Sequence, residues 1–218
     1  MGRSDWYRRT TWTESDQTEF FARLNRSRSP SAKAQYLRIQ AVYLQEAGTK
    51  EMIRASITLL DKLLEEYPDA FDLASVYLQK AECLLALGDE TGAIHYFRKS
   101  LQREREFPNV RTTAALRFGW MIVERRLSNF YDEALLAIEH YVGINNVLVF
   151  PFERYIVNAI RAVITEERGC PDVARELAQA ALDAASQKHS DFRYHPTVGL
   201  VQSTNSPIHT RLIQMTGG

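Results

Sequence analysis

The stretch LLALGDETGAIHYFRKSL, residues 84–101, contains the signals of two helices joined by a tight turn. An apolar helical run stops at Gly88, and glycine suits such a turn because it reaches left-handed backbone angles without a side-chain penalty. After the turn, Ala93, Phe97 and Leu101 follow one another four residues apart, the spacing of one helical face. The stretch therefore predicts a helical hairpin, and the fold depends on whether that hairpin recurs.

Three kinds of marker recur along the chain with a period of about 40 residues. Small residues stand near the start of the second helix of each hairpin, at Ser56, Ala93, Ala134 and Ala174. Glycines mark turns at Gly48, Gly88 and Gly169. Aromatic-proline pairs separate the hairpins at Tyr67-Pro68, Phe107-Pro108 and Phe150-Pro151. Because three independent markers share one period, the sequence predicts a row of similar hairpins.

The apolar residues between these markers follow helical spacing, and no alternating strand pattern of useful length occurs. We predict nine helices, near residues 14–27, 33–47, 50–66, 70–87, 90–105, 110–127, 130–142, 151–168 and 171–187. The first is announced by Thr13 with Asp16 three residues later, a variant of the capping box. Residues 1–32 are predicted to form an N-terminal cap with one helix, and residues 33–187 about four hairpins. Residues 188–218 are predicted to be an irregular tail that packs on the last hairpin or along the groove.

Composition and charge fit a soluble folded chain without an obvious charged partner. The 218 residues are 45% hydrophobic and 25% charged, and Lys plus Arg equals Asp plus Glu at 27 each, so the net charge is zero. This balance gives no overall electrostatic reason to bind nucleic acid or a membrane. No apolar stretch approaches the roughly 20 residues that span a bilayer, and the N-terminus lacks a signal-peptide core. We therefore expect a cytoplasmic protein.

Residues with catalytic or metal-binding chemistry are few and scattered. Cys83 lies inside a helical apolar pattern and is expected in the core, whereas Cys170 follows a turn and is expected at the surface. His189, Asp191 and His195 are metal-ligand types, but their spacing matches no known site. No Gly-rich phosphate loop, nucleophile elbow or paired zinc motif occurs. We expect no catalytic activity, no cofactor and no bound metal.

The segment YLQKAECLLALGDETGAIHYFRKSLQRE, residues 77–104, resembles a tetratricopeptide repeat. Ala81 and Gly88 match the first helix and turn of that family, and Ala93 and Phe97 match the second helix. Weaker matches extend over residues 33–187, with a longer period than the family's usual 34 residues or so, as in a divergent, stand-alone bacterial member. The resemblance implies an all-α fold, a right-handed α-solenoid of stacked antiparallel helix hairpins.

The resemblance also implies a concave face on which partners dock. The family's offsets place eight residues of this sequence on that face, namely Gln35, Arg38, Gln79, Glu82, Arg117, Trp120, Asn158 and Arg161. Arginines can bind carboxylates with two hydrogen bonds, and a tryptophan can anchor an interface. For each residue taken singly we favour a solvated polar side chain or, for Trp120, a core residue, whereas for the surface as a whole we favour binding.

Three functions remain open. The first is an adaptor or scaffold that binds a peptide or protein partner on the concave helical face. The second is an immunity-type protein that neutralises a cognate bacterial toxin or effector. The third is a regulator that contacts nucleic acid through the N-terminal forty residues, which hold eight basic and four acidic residues with Trp6, Tyr7 and Trp12 interleaved. For that segment we favour a structural cap, since the first hairpin of a solenoid needs a cover.

Overall fold

The protein's structure, a computed structural model, describes residues 5–145, 148–190 and 192–217. Within these residues the chain forms ten α-helices and no strand, which confirms the all-α prediction and adds one helix to the nine expected. The chain divides into two compact units, Met1–Ala114 and Ala115–Gly218, called here the first and the second unit. In the described part of the chain, no helix has both the length and the apolar character needed to cross a bilayer.

The first unit is built from five helices that follow a short 3-10 turn at Asp5–Tyr7. These helices are α1 (Glu14–Arg26), α2 (Pro30–Glu46), α3 (Lys50–Glu66), α4 (Leu73–Ala86) and α5 (Glu90–Glu106). Helix α2 packs mainly on α3, and α4 mainly on α5, so the two predicted hairpins are present. Helix α3 also packs on α4, which joins the two hairpins into one body.

Local signals fix where these helices begin. Thr13 and Asp16 form the predicted capping box at the start of α1. At the starts of α2 and α3, the side chains of Ser29 and Thr49 each accept one hydrogen bond, from the backbone N–H groups of Ala32 and Met52. At the start of α5, Asp89 accepts a hydrogen bond from the backbone N–H of Gly92. Each cap satisfies a backbone N–H that the first helical turn leaves without a partner.

The core of the first unit is formed by apolar stripes of α1 to α4. Its fully buried side chains include Phe20, Leu37, Leu60 and Leu63. Ser56 lies where α3 crosses α2, and its hydroxyl donates a 2.8 Å hydrogen bond to the carbonyl of Ala41. A small residue at this crossing allows the two helices to approach closely while the hydroxyl remains hydrogen-bonded.

Cys83 belongs to the same core, as its helical pattern predicted. Its side chain is fully buried, and its sulfur lies 3.5 Å from the hydroxyl of Ser56. Burial raises the pKa of this thiol to about 11, although the Ser56 hydroxyl acts in the opposite direction. The thiolate form is therefore suppressed at neutral pH. Cys170 is exposed, also as predicted.

The second unit contains α6 (Ala114–Glu124), α7 (Tyr131–Asn145), α8 (Pro151–Glu167), α9 (Pro171–Ala185) and α10 (Pro207–Thr216). A 3-10 turn at Ser128–Phe130 precedes α7. Helix α8 packs on α9 as a hairpin, and α10 packs on both of them. Gly119 of α6 faces Ile160 and Ile138, where an added Cβ would lie 2.8 Å from the Cδ1 atom of Ile160.

The prediction of a wholly irregular tail was wrong, because α10 lies within it. Ser206 caps this helix and Pro207 occupies its first turn, a standard helix start. Ile208 and Leu212, one turn apart, are buried. Arg211 donates hydrogen bonds of 2.6 and 2.7 Å to Glu166 and Glu167 near the end of α8.

The segment between α9 and α10 contacts the start of α8. The rings of Phe192 and Phe150 stack with centroids 5.4 Å apart. The backbone N–H of Phe152 donates a 2.9 Å hydrogen bond to the carbonyl of Gly199, whose φ is +69°. A Cβ at Gly199 would overlap the ring of Phe150, so glycine is needed there for two reasons.

The three turn glycines of the predicted repeat all have left-handed backbone angles. The φ values are +76° at Gly48, +87° at Gly88 and +79° at Gly169. Between α6 and α7 the left-handed position is held by Arg126, with φ +55°. This turn therefore lacks the glycine signal, which explains why only three of the four predicted hairpins show it.

Replacing Gly88 with alanine is expected to destabilise the first unit by about 1 kcal/mol, because an L side chain is strained at this angle even where space is open. Gly143, in the last turn of α7, is the matched control. It has no positive φ and no neighbouring atom near a new Cβ, so alanine should stabilise the protein by about 0.5 kcal/mol through helix propensity. Urea denaturation of both variants measures the two effects, and effects of the same sign would contradict the prediction.

Asp16 should make the stability of the first unit acid-sensitive. Burial disfavours its carboxylate, but hydrogen bonds from the amide and hydroxyl of Thr13 outweigh that cost. With further bonds from Thr11 and Arg9, they lower the pKa from 3.8 to about 2. A lowered folded-state pKa means that the contribution is complete above pH 4 or so and is lost as the pH falls through about 2.

We therefore expect Asp16→Asn to lower the free energy of unfolding by about 1–2 kcal/mol at pH 7 and by little at pH 2. Glu14→Gln, an exposed carboxylate in the same helical turn, serves as the control and should change little at either pH. Urea titrations at several pH values provide the measurement. A deficit of equal size at pH 7 and pH 2 would show that the charge of Asp16 is irrelevant.

Candidate binding cleft

An open cleft of ≈540 Å³ lies in the first unit between α2 and α4, closed at one side by residues 111–113. We call it the Gln79 cleft. Its lining residues are Arg38, Val42, Gln45 and Glu46 of α2, Ser75, Leu78, Gln79 and Glu82 of α4, and Arg111, Thr112 and Thr113. Three of the eight residues predicted to bind a partner, Arg38, Gln79 and Glu82, thus line one cavity.

Helical periodicity explains why these side chains share one cavity. Counted from the first lining residue of each helix, the others stand at +4, +7 and +8 in α2 and at +3, +4 and +7 in α4. Each set therefore forms one stripe of its helix. Other residues of the same helices, such as Leu37 and Ala41 in α2 and Val76 in α4, are fully buried in the core. The core contacts thus hold the two lining stripes in place.

Gln79 is the most unusual residue of the cleft. Its side chain is only 5% exposed, yet neither its amide nitrogen nor its amide oxygen has a hydrogen-bond partner among the described residues. A buried polar group without a partner costs about 1–3 kcal/mol, so such groups are rare in native proteins. Gln79 therefore lines the cleft with a shielded amide group whose hydrogen-bonding capacity is unused within the described residues.

Arg38 is held in place at the other wall. Its guanidinium forms an ion pair with Asp72, at 3.1 Å, while its Nε atom is buried and has no partner in the described residues. Gln45 of α2 reaches across to Glu82 of α4 at 3.5 Å, a long hydrogen bond. The cleft therefore carries charges of both signs rather than a surplus of one.

The wall formed by residues 111–113 is fixed by Glu104 of α5. The backbone N–H of Thr112 donates a 2.7 Å hydrogen bond to this carboxylate, and the Thr112 hydroxyl donates to it as well. Burial raises the pKa of Glu104, and the bonds from Thr112 oppose that rise. The hydroxyl oxygen also accepts a hydrogen bond from the amide of Ala114, at 3.0 Å.

The remaining predicted residues lie elsewhere. Gln35 is exposed and lines a different cavity, of ≈620 Å³, near Pro30 and Phe71. Arg117 and Trp120 belong to α6, and Asn158 and Arg161 to α8, all in the second unit. Trp120 is half-buried, and its ring centroid lies 5.9 Å from that of buried Tyr155. None of these five residues lines the Gln79 cleft.

Two buried polar residues escaped the sequence analysis. Gln40 is fully buried, and its carboxamide binds the backbone of Arg9. Lys80 is 7% exposed and contacts Asp61 and the hydroxyl of Tyr96. Burial would lower the pKa of Lys80, but its hydrogen bonds to these two partners raise it above the usual value. Both residues could have been suspected from the sequence, because each is a polar residue within an apolar helical stripe.

The aromatic residues of the N-terminal segment are packed inside the first unit. Trp6 and Trp12 lie against Phe20, with ring centroids 5.4 and 5.3 Å away, and Tyr7 lies 4.8 Å from Tyr36. These contacts occupy much of the ring surface on which nucleic-acid bases would have to stack.

The described residues contain no group of three or more His, Cys, Asp or Glu side chains placed to hold a metal ion. Asp191, which the sequence analysis grouped with His189 and His195, lies outside the described residues.

No protein-family model matches the chain, and a comparison with curated proteins finds no match. The tetratricopeptide resemblance therefore stays a prediction based on the residues quoted above.

Proposed function

We propose that the protein is a non-catalytic interaction module, an adaptor or scaffold, that binds a peptide or protein partner in the Gln79 cleft. The observation that supports this function is that Arg38, Gln79 and Glu82 line a single open cavity between two helices. A groove between packed helices is a common docking place for peptides. In this proposal the cleft belongs to the concave face of a tetratricopeptide-like solenoid, and binding needs no metal or cofactor.

The lining chemistry favours recognition over catalysis. Helix α2 contributes an arginine and apolar Val42, and α4 contributes apolar Leu78 beside polar Gln79. Such a mixture of apolar surface with a few placed polar groups is typical of ligand sites. A general acid or base requires a titratable group with a shifted pKa at the reacting position. The residue of the cleft with the most unusual environment, Gln79, does not titrate.

The adaptor function fits the contacts better than the nucleic-acid alternative does. In the N-terminal segment, Arg9 forms ion pairs with Asp16 and Glu19, and its neighbours Trp6 and Trp12 pack on Phe20. Because these side chains already pair with residues of the first unit, they support a structural role for the N-terminal segment as a cap on α1 and α2.

The test is affinity purification from the native host with three versions of the full chain. Ser75→Arg places a long side chain in the Gln79 cleft, whereas Thr58→Arg adds the same charge to the exposed surface of α3 and serves as the control. We expect a partner that the wild type and Thr58→Arg retain and that Ser75→Arg loses. With the purified partner, the Kd should rise at least about tenfold for Ser75→Arg alone. Equal retention by all three versions would refute binding in this cleft.

A further inference from the structure

We infer that the Gln79 cleft recognises the main chain of an extended, uncharged peptide segment, with the carboxamide of Gln79 pairing with a backbone amide N–H and C=O. This inference rests on the proposed function and adds the chemistry of the partner. In this arrangement Nε2 of Gln79 donates to a carbonyl of the peptide, and Oε1 accepts from one of its N–H groups.

The first observation is the state of Gln79. The residue is only 5% exposed, and both polar atoms of its side chain are shielded from solvent and lack partners in the described residues, so pairing with a peptide requires the side chain to rotate toward the cleft. Any occupant that relieves this state has to offer one acceptor and one donor side by side. A backbone residue in extended form offers that pair, because its C=O and N–H point to the same side.

The second observation comes from the same unit, where another buried glutamine already binds a main chain. Gln40 of α2 accepts a 3.0 Å hydrogen bond at Oε1 from the N–H of Arg9, and its Nε2 donates a 2.7 Å bond to the carbonyl of Arg9. The segment around Arg9 is neither helix nor strand, and it lies 31 residues away in sequence. The fold thus already contains a carboxamide that forms hydrogen bonds with both the N–H and the C=O of one residue.

The rest of the cleft specifies an uncharged segment. Arg38 and Arg111 are balanced by Glu46 and Glu82, so the lining has no net charge with which to select an acidic or a basic ligand. The guanidinium of Arg38 is already paired with Asp72. A free phosphate or a nucleic acid would need a surplus of positive charge instead.

Apolar and hydroxyl groups complete the lining. Val42 and Leu78 are half-buried and can contact small apolar side chains of the segment. The hydroxyls of Ser75 and Thr113 can donate or accept hydrogen bonds and could pair with the next amide of the bound peptide. The volume of ≈540 Å³ lies within the range of sites that hold ligands of a few residues.

The probe is a pentapeptide of alternating alanine and valine, acetylated and amidated at its ends, titrated into the full-length protein. Side-chain amide signals of Gln79 are followed by ¹H–¹⁵N NMR. We expect these signals to shift and to saturate by about 10 mM peptide. The same peptide with its amide nitrogens methylated lacks N–H donors and should bind at least about tenfold more weakly. Inorganic phosphate should leave the signals unchanged.

Gln79→Met and Gln35→Met form the matched pair of variants. Methionine has a similar length but no hydrogen-bonding amide, so Gln79→Met should lose peptide binding while Gln35→Met, exposed and outside the cleft, should retain it. Removing the unpaired buried amide should also raise the melting temperature of the protein by about 2–4 °C, which shows that the loss of binding is not a loss of folding.

Three results would overturn the inference. These are Gln79 signals that stay unchanged throughout the titration, equal affinity for the methylated peptide, and shifts caused by phosphate. This failure can be told apart from a failure of the proposed function. If Ser75→Arg loses the host partner but Gln79→Met retains it, the cleft is still a docking site and only main-chain recognition by Gln79 is rejected.

Discussion

Phe20→Ala is expected to lower the free energy of unfolding of the first unit by about 3–5 kcal/mol. The side chain is fully buried in the core of this unit. Its ring also lies 5.3 Å from those of Trp12 and Phe21 and 5.4 Å from that of Trp6. Alanine would leave a cavity and remove three ring contacts at once.

Guanidinium denaturation followed by circular dichroism measures this effect, and tryptophan fluorescence reports on Trp6 and Trp12 together with Trp120 of the second unit. The control is Phe71→Ala, because Phe71 is 75% exposed and should change stability by less than about 0.5 kcal/mol. A loss below about 1 kcal/mol for Phe20→Ala would mean that the N-terminal segment is not part of the core.

Gly119→Val is expected to destabilise the second unit by about 3 kcal/mol. The Cβ of any residue here would approach Cδ1 of Ile160 to 2.8 Å and Cγ1 of Ile138 to 3.5 Å. For alanine the one close approach is to the flexible end of Ile160, since the other neighbours lie at an ordinary contact distance of 3.5 Å. Its better helix propensity offsets the crowding. Valine adds two methyl groups to a Cβ that already contacts Ile160 and Ile138.

A double-mutant cycle tests this explanation. Ile160→Ala alone should cost about 2–4 kcal/mol through a cavity, but combined with Gly119→Val it should cost less than the sum of the two, because the new methyl groups fill the space. Gly119→Ala should remain within about 1 kcal/mol of the wild type. Strictly additive effects would show that Gly119 and Ile160 do not contact each other.

Local signals made most helix positions predictable from the sequence. The capping box at Thr13 and Asp16 and the left-handed glycines at Gly48 and Gly88 act within a few residues, so their effect can be read without the fold. Helix α6 was predicted too long, from 110 to 127, whereas it runs from Ala114 to Glu124. At its C-terminal end, the apolar pattern continues to Leu127, past the left-handed Arg126. When a residue other than glycine occupies the left-handed position of a turn, the local sequence gives no sign that the helix ends there.

Tertiary contacts explain what the sequence did not show. Helix α10 is short and follows a polar segment, and its buried residues Ile208 and Leu212 are too few to form a convincing pattern alone. It is held by α8 and α9, through Arg211 among others. Such support depends on residues about 45 positions away in the chain.

The candidate cleft was predictable only in part. The family resemblance selected Arg38, Gln79 and Glu82, which do line one cavity. The resemblance could not show that the Gln79 amide lacks partners among the described residues, since that depends on every neighbour in space. The bond between Gln40 and the backbone of Arg9 was invisible for the same reason.

The two cysteines allow chemical labelling to detect when the core of the first unit opens. Cys170, in the second unit, is exposed and should react with an alkylating reagent in the native protein. Cys83, in the first unit, is shielded beside Ser56 and should react only when α3 and α4 separate. Alkylation followed by mass spectrometry therefore gives the opening rate of the first unit, with Cys170 as the internal reference and no substitution required.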